Sequence, residues 1–136
     1  MKSVFVFGSN TAGIHGAGAA RVAYKQYGAR WGASYGHYGD SFAIPTKGSV
    51  QLVGSRKSVG PPIELNVIRR YVDGFCAFAY SQTDMEFIVT AIGCGLAGFG
   101  HEDIAPMFRG FEHTGMKFDE LWKPYLQDNA KFWGTF

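Results

Sequence analysis

Hydrophobic positions fall along this chain in short solid runs separated by stretches with helical spacing. Val4 to Phe7 is an unbroken apolar run, and Phe87 to Ile92 is a second short run, rich in β-branched residues and broken only by Thr90. Short runs of this kind predict strands buried on both faces. Ser41 to Pro45 predicts a third short strand that ends at its proline. Ala19, Ala20, Val22, Ala23 and Tyr27 form the apolar side of an Ala-rich helix that begins at Gly18 or Ala19, with Gly28 placed to stop it. The clearest amphipathic helix follows Pro62, which suits a first helical position. There Ile63, Val67, Ile68, Tyr71, Val72, Phe75, Phe78 and Ala79 keep one face, and Glu64, Arg69, Arg70 and Asp73 fall elsewhere. Its aromatic residues are read as core packing.

The remaining segments are less regular. A helical stretch is expected from the acidic pair Glu102 and Asp103 through Phe108, ending near Gly110. Phe118, Leu121, Trp122, Tyr125 and Leu126 suggest one more helix before an aromatic tail, Lys131 to Phe136. That tail is suited to docking on the core or on a second subunit of a homo-oligomer. Gly28 to Asp40 reads as an irregular connection with aromatic anchors. Thr46 to Pro62 has no clear period and carries Lys47, Arg56 and Lys57, the character of a lid or binding loop. Strands alternating with helices predict a single α/β domain over residues 1–136 with a largely parallel central sheet. No internal repeat, low-complexity tract or linker interrupts it.

Composition narrows the function classes. The chain is 46% hydrophobic and 16% aromatic, so a packed core is expected. A net charge of +2 is too small to argue for nucleic acid or an anionic membrane, so any phosphate recognition has to be local. No stretch is long and apolar enough for a signal-peptide core or a membrane span, and a cytoplasmic location is expected. The two cysteines, Cys76 and Cys94, have neither metal spacing nor the look of a disulfide framework. His15, His37, His101 and His113 show no metal pattern either, and no metal or cofactor is expected.

Candidate chemistry concentrates in two glycine-rich loops, each directly after a predicted strand. Gly93 to Gly100 holds four glycines in eight residues and leads into a helix start. Gly8 to Gly18 does the same after Val4 to Phe7. Strand, glycine loop and helix start aim unpaired backbone N–H groups at an anion, whereas a tight turn needs fewer glycines. In a parallel sheet both loops converge beyond the carboxyl ends of the strands. Familiar nucleotide motifs fail. Gly16-Ala17-Gly18 carries Arg21 where the dinucleotide fingerprint needs glycine and lies too far after its strand. Gly8 to Gly13 has P-loop spacing, but Ile14-His15 replaces the lysine and hydroxyl residue. Asn10 is placed to bridge ribose hydroxyls or to serve as a turn residue. Lys47 follows a strand end at the same cleft. His15 is either a backbone hydrogen-bonder or an acid–base group. Cys94 reads as a packing residue, and Glu102 and Asp103 as first-turn charges that suit the helix dipole. Asp40 reads as a turn residue.

The run Ala91 to Ile104, AIGCGLAGFGHEDI, resembles the R-I-G-C-G-L stretch of macrodomains, specifically the branch that removes terminal ADP-ribose from proteins. Ala43 to Lys47 (AIPTK) is similar to that branch's strand ending in I-T-K. Gly16 to Gly28 (GAGAARVAYKQYG) is similar to its Gly-rich first loop and helix. The resemblance implies a three-layer α/β/α sandwich with a mixed, largely parallel sheet and a pocket for ADP-ribose. It implies that the loop Gly93, Cys94, Gly95, Leu96, Ala97, Gly98 and Phe99 wraps the diphosphate, with Phe99 beside the distal ribose. Gly13, Gly16, Ala17 and Gly18 would close the other side, with Asn10 on that ribose. Lys47 would be the residue that attacks the ribosyl carbon. Two features depart from the family: no aspartate on an upstream strand is placed to read adenine, and Ala97 stands where the hydrolytic branch has an acid. The expected function is therefore binding of ADP-ribose or a related NAD-derived nucleotide, with hydrolysis through Lys47 or His15 as the enzymatic form. The alternatives are a non-catalytic sensor or sequestering protein and an assembly protein with no nucleotide site.

Overall fold

The computed structural model describes residues 2–54, 56–112 and 114–136. Its elements in chain order are β1 (Lys2–Asn10), α1 (Gly18–Gln26), β2 (Gly36–Tyr38), β3 (Ser41–Gln51) and β4 (Lys57–Pro62). There follow α2 (Leu65–Ser81), β5 (Met85–Val89), α3 (His101–Ile104), β6 (Met116–Asp119) and β7 (Lys131–Gly134). The seven strands form one sheet in the order β2-β3-β1-β5-β6-β7, with β4 paired to the outer part of β3. The pairs β1–β3, β1–β5, β5–β6 and β6–β7 are parallel, and the two pairs at the β3 end are antiparallel. With α1 on one face and α2 on the other, the architecture is a three-layer α/β/α sandwich with a mixed, mostly parallel sheet.

Period-two geometry explains why the solid apolar runs became central strands. Val4 and Val6 point into the larger core with Phe87, Val89, Phe42 and Ile44, where α2 contributes Ile68, Val72, Phe75, Cys76 and Ala79. Phe5 and Phe7 point the other way, against Ala20 and Ala23 of α1. Ala20 and Ala23 are small enough to bring α1 close to the sheet, which sets where its first turn lies.

Four boundaries differ from the sequence reading. β3 does not stop at Pro45 but continues to Gln51, and the polar stretch beyond Lys47 turns back as β4. β2 pairs only as far as Ala43 and β4 begins only at Lys47, so the proline without an N–H sits where that edge has no partner. Pro62 closes β4 opposite Lys47 instead of opening α2, whose N-cap is Glu64. Past α3 the chain tightens into a 3-10 helix, Ala105–Phe108, because Pro106 has no N–H for a longer α-helix. The expected C-terminal helix is instead β6, a 3-10 helix (Glu120–Tyr125) interrupted by Pro124, and β7. The aromatic tail belongs to the chain's own sheet: Trp133 Nε1 donates to the Val89 carbonyl at 2.9 Å. No helix among the described residues is long and apolar enough to cross a membrane.

Phe75 is fully buried and its ring meets those of Phe42, Phe87 and Phe108. Phe75→Ala should therefore cost about 3–5 kcal/mol, read as a drop in the urea midpoint at constant m-value. A loss below about 1 kcal/mol, the range of surface changes, would mean that this ring is not the keystone of the larger core.

Candidate functional site

Strand order reverses at β1. The chain leaves β1 toward β3 on one side and later builds β5, β6 and β7 on the other. Open α/β sheets bind ligands at such a switch point, beyond the carboxyl ends of the strands. A cavity of about 660 Å³ lies there, inside the roughly 300–1,000 Å³ range of small-molecule sites. Four neighbouring strands face it: β3 through Thr46 and Lys47 midway along its length, β1 through Ser9 and Asn10 at its end, β5 through the loop after it, and β6 through Asp119 at its end. The first turn of α1 closes one wall.

That first turn is bare. Its N-cap is Ala17, which offers no capping side chain, and no acidic residue stands in the turn. The first helix bond is given by Arg21 N to Ala17 O, so the N–H groups of Gly18, Ala19 and Ala20 donate to nothing among the described residues. Natural helices usually cover these donors with Ser, Thr, Asp or Asn. The N-cap of α3, Gly100, has no capping side chain either, but there Asp103 in the first turn reaches back to accept from the Gly100 N–H at 3.0 Å. The loop after β5 adds more unpaired donors. Cys94, Gly98 and Phe99 N–H groups brace the loop internally, whereas those of Gly95, Leu96 and Ala97 have no protein partner among the described residues. Gly93 makes the turn at φ 76°, a conformation that L side chains rarely adopt. The Leu96 side chain lies against Gly18, so the two loops meet across the cavity.

The sequence-predicted residues divide into two groups. Asn10, Gly16, Ala17, Gly18, Lys47, Gly93, Cys94, Gly95, Leu96 and Ala97 line the cavity. Gly13, His15, Gly98 and Phe99 do not. Gly13 packs against Gly32, where a Cβ would come within 2.4 Å of backbone. His15 is 1% exposed, and its Nε2 lies 2.9 Å and 3.1 Å from the carbonyls of Arg30 and Ala33, so its N–H ties loop to loop. It sits edge-on to Phe7 and away from the cavity, which leaves it no acid–base role there. Phe99 is half-buried, packed near Gly93 against the larger core, and does not line the cavity. Asn10 reaches the cavity, but its amide is engaged: Nδ2 donates to the Ile14 carbonyl at 2.7 Å and Oδ1 accepts from the Ile14 N–H at 3.1 Å. Its evident role is to hold the first loop. His113 lies outside the described residues.

Two titratable lining residues, Asp119 and His101, were given no ligand role from the sequence. Asp119 is 1% exposed and accepts from Leu121 N at 3.0 Å, Thr135 Oγ1 at 3.2 Å and Phe136 N at 3.3 Å. His101 accepts at Nδ1 from the indole N–H of buried Trp122 at 3.1 Å. Their sequence signals were slight, an Asp at the end of an apolar run and a His at a helix start. Lys47 is the only cationic side chain on the described lining. Among the described residues no three His, Cys, Asp or Glu side chains are grouped to hold a metal.

No protein-family model matches the chain, and no curated protein matches it by sequence. A solved structure of a protein of unknown function from Bacteroides thetaiotaomicron is similar in fold, with a TM-score of 0.51 and 17% identity over 78% of each chain. At that identity the likeness concerns the fold alone.

Burial pushes the Cys94 thiol up to about 11, opposed by the nearby Trp122 N–H and reinforced by Asp103, Glu102 and Asp119. The thiolate, the reactive form, is therefore scarce at neutral pH. Iodoacetamide labelling of Cys94, followed by mass spectrometry, should be slower at pH 7.5 than that of a free thiol. It should rise about tenfold per pH unit up to the pKa. Rapid labelling at pH 7.5 would identify an activated cysteine instead.

Proposed function

We propose that the protein binds ADP-ribose or a closely related NAD-derived nucleotide, with the diphosphate on the bare first turn of α1 and the loop after β5. The observation that carries this reading is the uncapped α1 terminus facing a second set of unpaired N–H groups across one cavity. Backbone donors at a helix N-terminus suit an anion. The arrangement along the sheet supports a long ligand. From β3 to β6 is three strand spacings, roughly 14 Å. The unpaired N–H groups belong to the two middle loops, and the polar side chains Lys47 and Asp119 stand at the outer strands. A central anion joining two polar units fits that layout, and a single phosphate with one sugar fills only part of it. The resemblance of the Ala91–Ile104, Ala43–Lys47 and Gly16–Gly28 runs to macrodomains points the same way.

Binding rather than hydrolysis is the form we favour. Ala97 lines the cavity without the acid that the resembling branch uses beside its lysine, His15 lies elsewhere, and the Cys94 thiol is not ionised.

ADP-ribose is expected to bind with micromolar affinity, about −8 kcal/mol. Several charge-assisted hydrogen bonds of about 1.5–3 kcal/mol each, less the entropy of association, reach that value. AMP should bind far more weakly by calorimetry, and equal affinities would refute the extended pose. Gly95→Val tests the loop directly. An added Cβ at Gly95 meets nothing within 4 Å and its φ is not positive, so the fold should survive by circular dichroism. The β-branched side chain would project into the ligand's space and remove binding. Retained affinity would put the anion elsewhere.

Turnover of a terminal ADP-ribosyl ester on protein should be slow or absent. Ala97→Asp should raise it, toward the roughly 10²–10⁴-fold that general acid–base help provides. Adding Lys47→Ala should cancel that gain. Brisk wild-type turnover that persists in Lys47→Ala would assign the chemistry to another residue.

A further inference from the structure

The β6 end of the cavity holds one polar group whose orientation is fixed from outside. Trp122 is fully buried in the larger core, its ring against Phe108 and Phe118. An indole N–H can only donate, so the His101 atom 3.1 Å away must be the acceptor Nδ1 with its lone pair. The reverse ring placement would set a C–H against the N–H. A neutral imidazole that accepts at Nδ1 carries its proton on Nε2. His101 Nε2 has no protein partner among the described residues and is not among the buried polar atoms left without one. The residue itself lines the cavity. The ring therefore has one N–H on offer, and the core determines which.

The surroundings select what that N–H meets. Asp119 also lines the cavity and brings a buried carboxylate to the end of β6. A phosphate is disfavoured in such a field. The anion belongs with the bare donors of α1 and of the loop after β5, and the β6 end suits an uncharged acceptor beyond it.

We propose that His101 is a ligand-contacting residue, its Nε2–H held by Trp122 as a fixed donor to an uncharged oxygen or nitrogen of the nucleoside unit that extends from the diphosphate toward β6. This rests on the nucleotide-binding reading above. His101 then contributes to specificity: a ligand that places a neutral acceptor there gains a hydrogen bond, and one that ends in an anion does not.

The test compares His101→Asn and His101→Gln with the wild-type chain. Asparagine keeps an oxygen near the Nδ1 position for the Trp122 N–H but does not extend to the Nε2 position; glutamine reaches further and restores a donor. His101→Asn should melt close to wild type, and His101→Gln somewhat lower because it leaves the buried Trp122 N–H without an acceptor. In calorimetric titrations with ADP-ribose and with ADP, His101→Asn should weaken binding about tenfold, the loss of one hydrogen bond, and His101→Gln should recover part of it. In the free wild-type protein, long-range ¹⁵N–¹H spectra, assigned by the signal missing from His101→Asn, should give the Nε2–H tautomer. Wild-type binding with His101→Asn within twofold of it would overturn this inference and leave the nucleotide reading intact. So would an Nδ1–H ring. Failure of the wild-type protein to bind either probe would overturn both.

Discussion

Parallel pairing of β1 with both β3 and β5 is the constraint on which the cavity depends. Each parallel neighbour forces a crossover: from β1 through α1 on one face to β3, then from the β3 side through α2 on the other face, past β1, to β5. The loops after β1 and β5 must therefore part from each other just past the strand ends, and the gap they leave is the cavity. The apolar residues of β1 make this pairing possible. Val4, Val6 and Phe7 are fully buried and Phe5 nearly so, with both faces covered, as a central parallel strand requires. A polar residue at Val4 or Val6 would place an unpaired group in the larger core and weaken the strand that locates both loops.

Helix α1 shows how packing upstream prepares chemistry downstream. Alanines at positions 20 and 23 let the helix approach Phe5 and Phe7 closely. The same small residues continue to its first turn, where no side chain covers the N–H groups. A helix end without a cap is ordinarily unfavourable by about 1 kcal/mol. Here that deficit coincides with the cavity wall, which is the pattern expected where local stability yields to a binding role.

The parts of this arrangement legible in the sequence are those fixed by local pattern. Val4–Phe7 and Phe87–Val89 are short and apolar enough to specify buried strands, and α2 carries a face of period 3.6 from Ile68 to Ala79. The glycine loops follow these strands, so ten of the fourteen predicted site residues reached the cavity lining. The β3–β4 hairpin was not legible because its outer residues are largely solvent-facing and its pairing leaves no apolar alternation. The C-terminal segment misled for a different reason. Phe118, Trp122 and Leu126 recur every four residues and imitate a helix, yet Phe118 belongs to a strand and Trp122 to a 3-10 helix. Asp119 and His101 were missed because their meaning comes from adjacency. Only the order β5-β6 brings the end of one strand beside the loop of the other, and nothing local encodes that order.

On the function proposed above, the distribution of committed and uncommitted polar groups suits holding a ligand. Asn10 gives both ends of its amide to Ile14, and Asp119 accepts three hydrogen bonds from the chain that follows it. Cys94 keeps its proton. Asp119 and Cys94 are of the kind a reaction recruits as base or nucleophile; the first is held by hydrogen bonds and the second keeps its proton at neutral pH. What remains available is a set of backbone N–H groups, the side chain of Lys47 and the Nε2–H of His101, all able to donate hydrogen bonds. Fixed donors around a cavity, with their positions determined by strands, a helix terminus and a buried indole, lose little freedom when a ligand with matching acceptors arrives. Preorganisation of that kind strengthens binding by reducing its entropic cost, and it needs no side chain to change its state.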